Sequence, residues 1–213
     1  MEKVIAKELL DIKAVFLRPD NPFTWASGIK SPIYCDNRIT LSYPKTRRII
    51  EETLSQKIKE VYPDCEYIMG TATAGIAHGA IVADILDLPM GYVRSSSKEH
   101  GRNNMIEGLV IPNAKVVVVE DLISTGGSCI NVVNTLKEAG FDVLGVVAIF
   151  SYNLPKATEL FKANSLTYHA ISNYDVLKEL ALQLNYINPK DITKLNKWKE
   201  NPSDETWMTI EKA

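Results

Sequence analysis

The stretch VVVVEDLISTGGS, residues 116–128, decides the fold class. Four consecutive valines without polar alternation are typical of a central strand in a parallel sheet that is covered on both faces. Glu120 and Asp121 follow the valines, and a loop of hydroxyl-bearing residues and glycines at 124–128 then opens a helix. Converging backbone N–H groups and the partial positive charge of a helix N-terminus make such a loop a phosphate site.

The position of two acids beside an anion loop indicates which anion is bound. Carboxylates accept hydrogen bonds from hydroxyl groups, so acids one step from a phosphate site suit a sugar phosphate whose diol contacts them. The chain lacks the GxxxxGK[ST] pattern of nucleoside triphosphate sites and the GxGxxG pattern of dinucleotide sites. The alternative is a capping loop behind an ordinary strand, with both acids merely solvated.

The surrounding sequence alternates strand and helix patterns. Strands are predicted at 66–70, 89–93, 115–119 and 143–150, and helices at 3–17, 44–62, 75–86 and 128–140, with further helical segments after Pro155 and a polar tail from Asn188. This alternation predicts an α/β fold with a mainly parallel central sheet flanked by helices. Ligands of such sheets bind outside the carboxyl ends of the strands, so the loops that follow the strands are the candidate site.

Two more loops fit that site. Residues 70–75, GTATAG, follow a predicted strand and precede a helix, so they could hold a second anion. Residues 94–108, RSSSKEHGRNNMIEG, form a long loop with a local basic excess that includes Lys98 and His100. Long loops without apolar anchors are usually lids or binding loops, and we expect a mobile cationic lid here. The alternative is a solvated charged loop.

The whole chain sets the class of protein. It has 213 residues and a formal net charge of −2, which gives no general attraction to nucleic acid or to anionic membranes. Cys35, Cys65 and Cys129 lie far apart, which excludes the usual zinc spacings and a disulfide framework and fits a reducing compartment. The opening segment has the pattern of an amphipathic helix and not of a signal peptide. No apolar run approaches the roughly 20 residues of a membrane helix, so we expect a cytoplasmic protein without membrane or nucleic-acid partners.

Together the three loops resemble the type I phosphoribosyltransferases, whose signature is a hydrophobic strand, two acids and a threonine- and glycine-rich loop. The lid and the N-terminal segment further resemble the orotate phosphoribosyltransferases of that family. The matching residues are Arg94, Lys98, His100 and Gly101 in the lid, and Phe23, Thr24, Ser27, Gly28, Ser31 and Pro32 followed by YCDNR (34–38) in an N-terminal hood.

The resemblance implies a reaction. The 5-phosphoribosyl group would pass from phosphoribosyl pyrophosphate (PRPP) to orotate, giving orotidine 5′-monophosphate and pyrophosphate, with Mg²⁺ held mainly through PRPP and water. It also implies a homodimer whose lid reaches the partner's site. The implied PRPP-binding residues are Thr71, Ala72, Thr73, Arg94, Lys98, His100, Glu120, Asp121, Leu122, Ile123, Ser124, Thr125, Gly126, Gly127 and Ser128, of which Glu120 and Asp121 are also catalytic with Lys98.

The base site departs from the family pattern. Many relatives carry lysine where this chain has Ala26, Ala74 and Ser95, and Asp-Arg where it has Ser151-Tyr152. The expected orotate carboxylate partner is therefore missing at residue 152. The remaining candidates for orotate binding are Lys30, Tyr34, Arg38 and Ser124, together with backbone donors of the hood.

We expect a single domain with a hood at about 1–42, an α/β core at about 43–155 that includes the lid, and a C-terminal helical segment at about 156–213. Three alternatives stay open at this point. The chain could be a transferase for another base such as a purine, a non-catalytic PRPP-sensing regulator, or a purely structural α/β domain. The last alternative requires three function-like loops to meet at one sheet edge by chance.

Overall fold

A computed structural model describes residues 1–25, 27–95 and 105–210. The α-helices are α1 (Glu2–Asp11), α2 (Pro44–Val61), α3 (Ala74–Leu86), α4 (Gly127–Glu138), α5 (Pro155–Ala163), α6 (Tyr174–Gln183) and α7 (Asp191–Glu200). The strands are β1 (Val15–Leu17), β2 (Phe23–Thr24), β3 (Lys30–Ser31), β4 (Ile33–Cys35), β5 (Tyr67–Thr71), β6 (Met90–Val93), β7 (Ile106–Glu107), β8 (Lys115–Ile123), β9 (Asp142–Ser151) and β10 (Tyr168–Asn173). Short 3₁₀ helices cover Asn37–Ser42 and Glu205–Thr209.

The main sheet has six strands in the order β10-β9-β8-β5-β6-β7. All neighbours are parallel except β7, which pairs antiparallel with β6 at one edge. The predicted α/β fold with a mainly parallel sheet is thus confirmed, with β8 near its centre. The carboxyl ends of β5 and β8 lie side by side, so the loops that follow them meet.

Helices cover both faces of the sheet, as the valine run requires. Val117 and Val119 pack into one apolar core, with residues of α1, α2, α3 and α6. Val116 and Val118 point to the opposite face and pack with residues of α4 and α5. All four valines are fully buried. Because successive strand residues point to opposite faces, an uninterrupted apolar run is what a two-sided core needs.

Two predicted boundaries were wrong. The strand predicted at 115–119 continues to Ile123, since Glu120 and Leu122 still pair with β9, so the two acids lie inside β8 and not in the loop after it. The helix predicted at 3–17 ends at Asp11. Lys13 adopts a positive φ of 58°, which stops the helix, and the chain then forms β1 against β4.

The C-terminal residues contribute more than their polar composition suggested. Strand β10, helix α7 and the turn at Glu205–Thr209 were not predicted. Trp198 and Trp207 from this region are fully buried. The Trp198 indole packs edge-on against Trp25 of the hood, and its Nε1 donates a hydrogen bond to the Lys30 carbonyl at 3.1 Å. The C-terminal segment therefore packs against the hood and stabilises it.

Within the ranges that the structure describes, no helix is both long enough and apolar enough to cross a membrane.

Candidate active site

A cavity of about 420 Å³ lies at the carboxyl ends of β5 and β8. Three segments that are distant in sequence line it. They are Cys35, Asp36 and Arg38 of the hood, Ala72, Thr73 and Ala74 after β5, and Glu120, Asp121, Leu122 and Ser128 of the signature stretch. The structure therefore brings together the predicted anion loop at 70–75, the predicted acids and three residues of the hood motif, of which Arg38 was a candidate for orotate binding.

Asp121 is the more exposed of the two acids that line this cavity. Its side chain is half-buried, and its backbone carbonyl accepts a hydrogen bond of 2.6 Å from Asn37 Nδ2. Asn37 is fully buried and accepts a weak hydrogen bond from Cys35 Sγ at 3.3 Å. This side-chain bridge fixes the hood to the end of β8. The YCDNR motif did not predict this role of Asn37, since nothing local signals a contact 84 residues away.

Glu120 lies behind Asp121, with only 5% of its surface exposed. Its Oε1 accepts hydrogen bonds from the Thr71 hydroxyl at 2.7 Å and from the Asp121 N–H at 2.9 Å. Its Oε2 faces Cys129 Sγ at 3.5 Å. Burial, followed by the hydrogen bond and the charge of Asp121, raises the pKa of Glu120 to about 8.

The predicted phosphate loop forms a tight turn into α4. Gly126 has a φ of 82°, and a Cβ there would lie 2.9 Å from Phe161 Cε2, so a side chain is excluded on two grounds. Helix α4 begins at Gly127, and the first-turn N–H groups of a helix have no intrahelical acceptor. Ser124, Thr125 and Gly127 are half-buried and Ser128 is exposed, so the turn is open to a ligand.

The loop after β5 is held equally closely. The Ala72 N–H donates to the Val93 carbonyl at 3.0 Å, and the peptide bond between Ala72 and Thr73 is cis. A Cβ on Gly75 would lie 2.5 Å from both Thr71 Oγ1 and the Val119 carbonyl. Only glycine therefore allows the first turn of α3 to lie this close to β5 and β8.

Arg94 lies on the other side of this loop. It lines a neighbouring cavity of about 530 Å³, together with Thr71, Ala72 and Ser128. Its guanidinium is 3.6 Å from Glu107 and its backbone N–H donates to Met105. The other predicted lid residues, Lys98, His100, Gly101 and Arg102, lie outside the described residues, and their roles stay predictions.

The candidate orotate-binding residues are not gathered at one point. Arg38 lines the first cavity and binds Asp36 through two hydrogen bonds of 2.7 and 2.8 Å, which lower the pKa of that carboxyl. The Lys30 ammonium donates to the Thr24 hydroxyl at 2.8 Å. Tyr34 packs against the Phe23 ring. Among the described lining residues of this cavity, Arg38 is present, whereas Lys30, Tyr34 and Ser124 are not.

Tyr152 occupies the position where an arginine was expected. It is buried, it stacks on Trp25 with a centroid distance of 5.3 Å, and it also packs edge-on against Trp198. Burial raises the pKa of its phenol well above the usual value. The residue therefore belongs to the aromatic support of the hood.

Among the residues that the structure describes, no three His, Cys, Asp or Glu side chains are placed to hold a metal ion.

Known proteins with similar sequences decide the family. A sequence profile described as the phosphoribosyl transferase domain matches residues 38–181. An orotate phosphoribosyltransferase from Bacillus pumilus is 58% identical over 208 residues, which is 98% of each chain. The chain belongs to the orotate phosphoribosyltransferase family. The profile covers both anion loops and leaves out most of the hood and the tail, whereas the full-length relative also covers those.

Solved structures agree with this family. An orotate phosphoribosyltransferase from Aeropyrum pernix superimposes with a TM-score of 0.74 at 28% identity, over 86% of this chain and 99% of that one. The UMP synthase of Leishmania donovani reaches a TM-score of 0.79 at 23% identity, over 93% of this chain and 42% of that one. At that identity the second match shows a shared fold only.

Proposed function

We propose that this protein transfers the 5-phosphoribosyl group of PRPP to orotate, forming orotidine 5′-monophosphate and pyrophosphate. The observation that carries the proposal is one cavity lined by the predicted anion loop, the two acids of β8 and hood residues. It is supported by full-length similarity to proteins named orotate phosphoribosyltransferase.

The two ends of PRPP need opposite electrostatics. Breaking the bond between C1′ and pyrophosphate places positive charge on the ribose and negative charge on the leaving group. Glu120 and Asp121, which both line the cavity, would accept hydrogen bonds from the ribose hydroxyls and face the developing cation. The N–H groups of residues 124–128, at the start of α4, would bind the 5′-phosphate.

The leaving pyrophosphate needs donors that are in place before the bond breaks. Backbone groups of residues 71–75 and the Arg94 guanidinium lie beside the cavity and would supply them. Lys98 and His100, on the predicted lid, would complete this set and exclude water. Mg²⁺, when bound through PRPP oxygens and water, would neutralise part of the pyrophosphate charge.

The base would face the hood. Arg38 is the hood cation that lines the cavity, so it is our first choice for the orotate carboxylate. Its partner Asp36 would have to yield part of the guanidinium to the ligand, because both Nε and Nη2 are engaged. Orotate has an acidic ring N–H, so the mechanism requires no strong general base.

We further propose that the chain acts as a single domain in a cytoplasmic homodimer whose lids are shared between subunits. Its ligands would be the four small molecules of the reaction, with no nucleic-acid or membrane partner. Sedimentation of the full chain tests the dimer. A monomer that retains full turnover would contradict the shared lid.

The function is tested by mixing the protein with PRPP, Mg²⁺ and orotate and following the ultraviolet absorbance of orotate. Parallel reactions contain uracil, adenine, guanine or hypoxanthine in place of orotate. Loss of orotate absorbance that requires PRPP supports the proposal. Turnover of a purine alone would favour a transferase for another base, and PRPP binding without turnover of any base would favour the sensing regulator.

A further inference from the structure

Asn37 connects the two sides of the cavity from a position beneath its surface. The residue begins the short 3₁₀ helix of the hood and is fully buried. Its chain neighbours Asp36 and Arg38 are among the described lining residues of the cavity, whereas Asn37 is not. Its Nδ2 donates a hydrogen bond of 2.6 Å to the Asp121 carbonyl on β8. Because Asn37 has no exposed surface, it can affect a bound ligand only through the residues that it holds.

Both ends of the Asn37 amide are engaged. Its Oδ1 accepts a hydrogen bond from Cys35 Sγ at 3.3 Å, and Cys35 lines the cavity. The Asn37 backbone carbonyl accepts a further bond of 2.6 Å from the Thr40 hydroxyl, within the hood. A primary amide carries a donor group and an acceptor group on one planar unit. The donor side therefore reaches the sheet while the acceptor side stays in the hood.

The two segments that Asn37 joins are held unequally. On β8, Glu120 and Leu122 pair with β9, and Val119 pairs with both β9 and β5. The hood backbone at Asp36 instead donates one bond of 2.8 Å to the Ala14 carbonyl, which is itself part of the hood. Segments with fewer such bonds open at a lower free energy than the centre of a sheet. Loss of the Asn37 bond should therefore free the hood segment and leave β8 in place.

We propose that Asn37 is a positioning residue that holds hood residues 35–38 at a fixed distance from Asp121. The proposal rests on the proposed function, because it assigns the hood to the base and the acids of β8 to the ribose. Asn37 does not touch the substrate. It keeps the base site in register with the ribose site, and small misplacements of two reacting groups lower the rate of their reaction.

The proposal is tested by separating the two substrates in Asn37→Leu, which keeps a branched side chain of similar shape and removes the amide. We expect KM for orotate to rise about tenfold, the usual scale of one hydrogen bond. The equilibrium affinity for PRPP, measured by calorimetry without orotate, should stay within about twofold of the wild type. Equal losses for both substrates, or an unchanged KM for orotate, would overturn the proposal.

A truncated variant separates the hydrogen bond from packing. Asn37→Ala removes the amide together with the volume of the side chain, so it should raise KM for orotate at least as much as Asn37→Leu does. If Asn37→Ala is impaired while Asn37→Leu behaves like the wild type, side-chain volume and not the amide holds the hood. That result contradicts the proposed role of the bond to Asp121.

Thr40→Val is the matched control. It keeps a β-branched side chain and removes a hydrogen bond of 2.6 Å that lies entirely within the hood. We expect a lower melting temperature with a wild-type KM for orotate. If Thr40→Val raises KM for orotate as much as Asn37→Leu does, any loosening of the hood has the same effect. The bridge to β8 would then have no special role.

A second measurement needs no turnover. Backbone hydrogen exchange is followed without ligands for residues 36–42 of the hood and 117–123 of β8. Asn37→Leu should speed exchange about tenfold in the hood segment and leave β8 unchanged. Unchanged exchange in the hood segment would contradict the proposal. If the wild-type protein turns over no base, the proposed function fails separately, and the exchange experiment still decides whether Asn37 holds the hood.

Discussion

Two regions face the same cavity but are built in different ways. One is the sheet edge, by which we mean the carboxyl ends of β5 and β8 with the loops that follow them, and the other is the hood. The sheet edge is formed by two short contiguous stretches, residues 70–75 and 116–128, and its contacts are backbone donors and close glycine packing. The hood is formed by two small antiparallel strand pairs that rest on Trp25, Tyr152 and Trp198 from three distant parts of the chain. Under the proposed function, the first region would serve the reaction that the whole family shares, whereas the second would select the base.

Because the hood depends on buried aromatic packing, we expect substitutions in that packing to lower the stability of the protein before they affect catalysis. Trp198→Ala should lower the free energy of unfolding by about 3–5 kcal/mol, because it removes a fully buried aromatic side chain. Chemical denaturation followed by circular dichroism measures the change. Trp198→Phe keeps an aromatic ring and should lose distinctly less. Equal losses for the two variants would show that the ring packing against Trp25 and Tyr152 does not support the hood.

Substitutions at the sheet edge should lower catalytic activity before they lower stability. Asp121→Asn should lower kcat/KM for PRPP by about 10²–10³, the usual cost of one preorganised contact to developing charge, while the melting temperature stays close to that of the wild type. Asp142→Asn is the matched control, since Asp142 is exposed at the opposite end of the neighbouring strand β9. Unchanged kinetics in Asp121→Asn would remove Asp121 from the ribose site.

The glycines of the sheet edge offer a comparison within one region. Gly75→Ala should destabilise the protein by about 1–3 kcal/mol, the usual cost of overpacking, since its Cβ would lie 2.5 Å from two atoms. Gly127→Ala is the control, because a Cβ there meets nothing within 4 Å. Thermal unfolding compares the two. Similar melting temperatures would contradict the close seating of α3 on Thr71.

A change in the pH dependence of stability is expected from the titration of Glu120. Its pKa is raised from 4.5 to about 8 in the folded protein, so the native state binds a proton that the unfolded state releases. The stability that this proton provides is complete below pH 4.5 and is lost as the pH rises through about 8. Glu120→Gln should flatten the dependence of stability on pH in this interval. An unaltered pH dependence in the variant would show that Glu120 titrates normally.

The sequence predicted the sheet edge well because its signals are local. The valine run indicates a strand that is buried on both faces, and the small-residue stretches indicate the turns between strand and helix. That these turns bind anions stays a prediction. The boundary at Glu120 was missed since nothing local shows that β8 continues to Ile123; pairing with β9 sustains it. The burial of Glu120 followed from the same extension.

The hood could be predicted only in part. Its motif identified the segment, but the contacts that fix it come from elsewhere. Asn37 contacts Asp121, and Trp198 lies in a tail whose composition looked polar. Side-chain contacts across 84 or 168 residues leave no periodic trace in the sequence. No local motif identifies the residue that would bind the orotate carboxylate either. The sequence therefore left several candidates for that role.

The most direct test of the division between the two regions is a pair of Michaelis constants measured in one assay. Arg38→Ala changes the cavity from the hood side, and Asp121→Asn changes it from the sheet edge. Orotate turnover is followed while PRPP and orotate are varied in turn. The division predicts that Arg38→Ala raises KM for orotate by about tenfold, the scale of one lost hydrogen bond, with little change for PRPP, and that Asp121→Asn acts mainly on PRPP and kcat. Equal effects of Arg38→Ala on both substrates would contradict it.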